Sequence, residues 1–73
     1  GTVSTAATTT INEGGTFTDS DTTLTLTSGS AFPSAGTIAI GTELITYTGK
    51  STNNLTGLTR GALGTSAAAH ADG

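Results

Sequence analysis

A chain of 73 residues with no cysteine, one histidine and a formal net charge of −3 is one small domain at most, without disulfides or a thiolate-zinc centre to staple it. Lys50 and Arg60 are its only cations, too few to neutralise a phosphate backbone, so nucleic acid is set aside as a partner. No apolar run approaches bilayer-spanning length, and the opening GTVSTAATTT lacks the basic start and apolar core of a signal peptide, so the chain reads as soluble and mature, with no membrane contact. A domain this short buries little surface, which makes partner subunits the expected source of added stability and a homo-oligomer the leading expectation over a well-packed monomer.

Residues 1–20 are rich in Gly, Thr, Ser and Ala, with Val3, Ile11 and Phe17 too widely spaced for one amphipathic element. They read as an extended N-terminal arm that docks on a neighbouring subunit through those three apolar anchors, or as a loose tail with a short strand near Gly15 to Thr18. Residues 21–73 read as a small β module. Thr22 to Thr27 is a strand with Leu24 and Leu26 on one face and Thr23, Thr25 and Thr27 on the other. Ser28-Gly29-Ser30 ends it, and Phe32 to Gly36 makes a turn set by Pro33 and Gly36, with Phe32 plugging one end of the core.

Thr37 to Ile40 turns Ile38 and Ile40 inward; Gly41-Thr42 reverses the chain; Glu43 to Thr48 completes a tight hairpin with Ile45 and Tyr47 on the face of Glu43. Gly49 to Asn54 reads as a polar turn, and Leu55 to Leu58 as a last strand bulged at Gly57. From Ala62 to His70 a helical turn capped by Thr65 or Ser66 is plausible, too short to stand without packing, and forms a C-terminal hook. The fold class expected is all-β, a small barrel or sandwich of about four to six short strands with an extended arm and a short hook. Threonine and glycine abundance supports it, and with only three aromatics the core must be mostly aliphatic.

The run FPSAGTIAIGTELITYTG (Phe32 to Gly49) followed by LTGLTRGALGTSAAAH (Leu55 to His70) resembles a short module of tailed-bacteriophage structural proteins, with the pattern FPxxGxIxIGxExIxYTG and then LTGxTRGxxGTxAAxH. The resemblance spans residues 22 to 72 and leaves the arm unmatched. It implies a virion component without catalysis: a capsid decoration or cement protein, a tail or fibre accessory, or one module of a longer particle protein. The expectation built on it is a homo-oligomer, trimeric by preference, on the capsid exterior, clamping neighbouring major capsid proteins.

Few residues invite chemistry. Glu43 and Arg60 are placed for a partly buried carboxylate–guanidinium bridge that fixes register; the alternative is two ordinary surface charges. His70 near Asp72 falls below the ligand count of a zinc site unless symmetry-related copies add to it, so a packing or hydrogen-bonding role is expected for His70. Asp19-Ser20-Asp21 has the oxygen spacing of calcium ligands but not the rest of an EF-hand loop, and reads as a turn. Asn54-Leu55-Thr56 matches a glycosylation acceptor by composition alone. No hydroxyl has a base and an orienting partner, so neither catalytic residues nor a cofactor nor a metal is expected. The expected fasteners are Phe32, Ile38, Ile40, Ile45, Tyr47, Leu55, Leu58 and His70. Two rival readings remain: a carbohydrate-binding adhesin using Tyr47 as its stacking ring, and a filament subunit whose arm completes the next subunit's sheet.

Overall fold

Alternating Thr and aliphatic residues give short strands whose apolar members all point one way, and a computed structural model of the chain, covering residues 1–73, shows how they close on one another. Seven strands follow in order: β1 (Thr2–Ser4), β2 (Thr8–Thr10), β3 (Leu24–Thr25), β4 (Gly36–Ile40), β5 (Glu43–Tyr47), β6 (Gly49–Ser51) and β7 (Asn54–Thr56). They form two antiparallel sheets, ordered β2-β1-β4-β5 and β3-β7-β6. The chain is all-β and contains no helix; the sheets share one core and do not close into a barrel.

The β4–β5 hairpin is the frame. Ile38 faces Ile45 and Ile40 faces Glu43 across the pair, so the period of two sends Ile38, Ile40, Glu43, Ile45 and Tyr47 to the inside together. β1 adds to β4 with Val3 opposite Ile40. Leu24 and Leu55, paired between β3 and β7, bring the second sheet to the same core, and Ile11, Phe17, Leu26, Phe32 and Leu58 fill it from the connections. All twelve of these apolar residues are at most 8% exposed, and no buried side-chain polar atom lacks a partner.

The first twenty residues differ from the arm expected of them. β1 lies inside its sheet between β2 and β4, and Val3, Ile11 and Phe17 are buried in their own chain's core rather than free to dock on a neighbour. The radius of gyration, 10.5 Å, is no larger than the about 11 Å of a compact chain of this length. The core explains the outcome: without those three residues a quarter of its members would be missing. Ile11 also joins the two ends of the chain, its N–H donating to Gly1 O (3.0 Å) and its carbonyl accepting from Gly73 N–H (3.1 Å).

Three further expectations are corrected. Gly49 to Asn54 is not a turn but a second hairpin, with β6 and β7 joined through Thr52-Asn53 and Thr52 in the left-handed region (φ 56). The last strand stops at Thr56 rather than Leu58. Gly57 (φ 64) swings the chain off the second sheet, and Thr59 then bridges Thr46 at the edge of the first. A Cβ at Gly57 would stand 2.1 Å from Thr48 Oγ1, so glycine permits both the dihedral and the close approach at this corner. Finally, Ala62 to His70 takes no helical turn. Its polar groups bond to β5 and to the first twenty residues instead, because a segment this short gains more from those partners than from one turn of helix.

Candidate functional site

Strand alternation forces Glu43 to the inside of β5, where its carboxylate is 1% exposed and needs compensation. Five donors supply it. Arg60 binds it side-on with two parallel bonds, Nε to Oε2 (2.9 Å) and Nη2 to Oε1 (3.0 Å). The Gly61 N–H donates to Oε2 (3.0 Å), the Ala68 N–H to Oε1 (3.1 Å), and His70 Nε2 lies 2.7 Å from Oε1. A carboxylate only accepts, so Nε2 carries the proton in that bond. Burial alone would push the Glu43 carboxyl up; the donors, Arg60 first, then His70 and the two backbone N–H groups, outweigh it and hold the group down at about 2 from an ordinary 4.5.

Arg60 is equally committed. Besides its two bonds to Glu43, Nη1 donates to Thr18 O and to Asp21 O (3.1 Å), and Nη2 to Ala68 O (2.8 Å), which uses all five N–H groups of the guanidinium. Its Cζ stands 4.1 Å from the centre of the Phe17 ring, and His70 stacks on that ring at 6.1 Å. Phe17 and His70 also exchange both backbone bonds, 2.9 and 2.8 Å. One ion pair therefore ties together β5, the turn at Thr18–Asp21, the bend after Thr59 and the C-terminal segment. Gly61 (φ 55) is the hinge of this clamp, where a Cβ would lie 2.8 Å from Ala67 N and 3.0 Å from Thr65 O.

The other singled-out residues sit apart from it. Tyr47 is buried and donates its hydroxyl to Pro33 O (2.8 Å), and burial raises its pKa. It cannot present a ring face to a sugar. His70 and Asp72 diverge: His70 turns to Glu43, while the Asp72 carboxylate receives the N–H groups of Glu13 (2.7 Å) and Gly14 (2.9 Å). Asp21 caps its own turn through Thr18 N–H (2.9 Å). No three His, Asp or Glu side chains converge as a metal site would require, and no concave pocket forms on the chain.

No known protein family, curated protein or solved structure matches this chain. Two contributors escaped the sequence reading. Lys50 lies beside Leu55 on the core side of β6 and donates to Gly29 O (2.8 Å) and Phe32 O (2.7 Å), pinning the loop that delivers Phe32. Glu13 receives the Thr25 N–H (2.6 Å) and closes the outer edge of β3. Neither carries a local motif; each is recognisable only once the two segments are brought together.

Proposed function

We propose that this chain is a non-enzymatic structural module of a tailed-phage virion: a capsid decoration or cement protein, homo-oligomeric with a trimer favoured, that binds neighbouring major capsid proteins on the shell exterior. The observation that carries this reading is the use to which the motif residues are put. Glu43, Arg60 and His70, the charged residues and the histidine of the phage-like pattern, bond to one another and to backbone groups of their own chain, and Phe32 and Tyr47 fill the core. A pattern whose charged and aromatic residues are used to hold the fold suits a part whose task is to hold a place in an assembly. Binding that exists only in the assembled shell stabilises it by mass action, and linked copies gain avidity.

The rival readings lose their principal residues. An adhesin has no ring at Tyr47 to stack on sugar, and a filament subunit has no strand to donate while Val3, Ile11 and Phe17 serve their own core. The test is biochemical and structural together. Mass spectrometry of purified particles should find the chain in many copies, and imaging should place it on the outer shell. Particles that lack the chain, or that carry it only inside, would overturn the proposal.

A further inference from the structure

Residues 65–73 cross from the edge of β5 to the opening residues of the chain, and they hold on without apolar anchors. None of residues 61–73 is buried. Their attachment is polar: the Leu44 N–H donates to Thr65 Oγ1 (3.0 Å), the Ala68 N–H and His70 Nε2 reach Glu43, His70 and Phe17 exchange backbone bonds, and Asp72 receives the Glu13 and Gly14 N–H groups. What this strap covers is the reverse, since Phe17 and Glu43 are both fully buried. Lifting it would leave Glu43 without two of its five donors and Phe17 with both backbone groups unpaired. The seat has to be filled, while its filler has little apolar surface to keep it there. The turn leading into the strap is under strain. Ala62 O accepts the Thr65 N–H (3.1 Å), and the two residues between, Leu63 (φ 55) and Gly64 (φ 83), are both left-handed. That backbone suits glycine and asparagine, not leucine. Leu63 gains no burial from it, because its side chain is 75% exposed.

We infer that residues 65–73 of one copy also fill the seat of a second copy, so that chains associate by exchanging these straps. The structure itself shows what fits the seat: this segment matches it bond for bond, and a second copy carries the same segment. Each copy gives one strap and receives one, so no seat stays empty and the set closes on itself. The hinge is the turn at 62–65. Extending it takes Leu63 out of the left-handed region, and short strained hinges are where chains exchange segments. Ala62, whose N–H is bonded to Leu44 O (2.7 Å), stays with its own chain. In dilute solution the chain's own strap prevails, because a short tether gives it an effective concentration of about millimolar. Where copies are crowded, a neighbour's strap competes on equal bonds and is spared the strained turn.

The inference rests on the homo-oligomer half of the proposed function and not on its virion half. Thr16 and Ala71 flank the antiparallel Phe17–His70 bridge on facing segments and are exposed, which sets them opposite one another. Chains carrying Thr16→Cys alone and Ala71→Cys alone are mixed at about 1 mM, oxidised mildly and mapped by mass spectrometry. Exchange brings the two introduced thiols face to face. The mixed disulfide dimer should therefore form about tenfold above the level given by Ser51→Cys, on the exposed part of β6, mixed with Ala71→Cys. Adding Leu63→Gly to both chains, which suits the left-handed turn, should lower the yield about fivefold, whereas Leu63→Pro, whose φ cannot be positive, should raise it. Mixed dimer no more abundant than in the Ser51→Cys control would overturn the inference, even if sedimentation shows the parent chain to be oligomeric through another surface. So would a yield that Leu63→Gly leaves undiminished. None of these results bears on whether the chain is found on particles.

Discussion

Replacing Arg60 with alanine removes two bonds to Glu43, three to the carbonyls of Thr18, Asp21 and Ala68, and the cation over Phe17. Deleting one partner of a buried pair costs about 3–5 kcal/mol, because the surviving charge is stranded. Glu43 would keep the Gly61, Ala68 and His70 donors, which places the expected loss near the lower figure, about 3 kcal/mol. A domain of this length has about 4–11 kcal/mol in total, and each kcal/mol shifts its melting temperature by about 4–8 °C, so the variant should melt about 12–24 °C lower. The dependence on pH gives a second reading. Glu43 is held at about 2 when folded and returns toward 4.5 when unfolded, so between those values the unfolded chain binds more protons and stability rises with pH. That contribution is complete above about pH 5 and is lost as the pH falls toward 2; it amounts to about 3 kcal/mol. Urea unfolding of parent and variant at several pH values measures both effects, and the variant's curve should be the flatter, by part of that amount, since Gly61, Ala68 and His70 still hold the Glu43 carboxylate. A loss below about 1 kcal/mol at neutral pH, or the same acid dependence in both chains, would refute the clamp as a source of stability.

Tyr47→Phe should cost about 1–2 kcal/mol in urea unfolding, since Pro33 O loses its buried donor, and the parent's single phenol should titrate by ultraviolet absorbance above its ordinary value until the chain unfolds. A normal phenol titration in the folded chain would contradict its burial. Gly61→Ala combines left-handed strain with a Cβ 2.8 Å from backbone, so calorimetry should find it destabilised by more than about 2 kcal/mol; a change under about 0.5 kcal/mol would mean the turn yields freely. Lys50→Met should cost about 1–2 kcal/mol and speed exchange of the Phe32 amide, which bonds to Gly29 O, whereas unchanged exchange would show that the loop holds without the ammonium.

The frame of the fold was legible where apolar residues repeat at every second position, as in Thr37 to Ile40 and Glu43 to Tyr47. In Thr22 to Thr27 the repeat gave the buried face of Leu24 and Leu26, but the strand itself shortens to Leu24–Thr25, with Leu26 bridging Ile11 instead. In the β4–β5 hairpin that repeat also puts Glu43 on the Ile45 and Tyr47 face. The rest lacked that redundancy. β1 and β2 are three residues each, with Val3 their single apolar member, and β6 contains none, so no repeat announces them. Where Val3, Ile11 and Phe17 go depends on a core that only exists after the hairpins meet. His70 reaches Glu43 across twenty-seven residues of chain, and the exposed Ala67 to Ala69 leading to it carry no pattern, only backbone bonds chosen by what lies opposite. Helix propensity in that alanine run misled because propensity is weak beside fixed tertiary partners.

The peptide of Ile11, which bonds on one side to Gly1 and on the other to Gly73, makes the two ends of the chain neighbours. A linker of a few residues would join them into a ring at little entropic cost, and the chain could then be reopened at an exposed turn such as Gly14-Gly15 without disturbing either sheet. The same adjacency would let the module be set into a surface loop of another protein as a graft, entering and leaving at a single point.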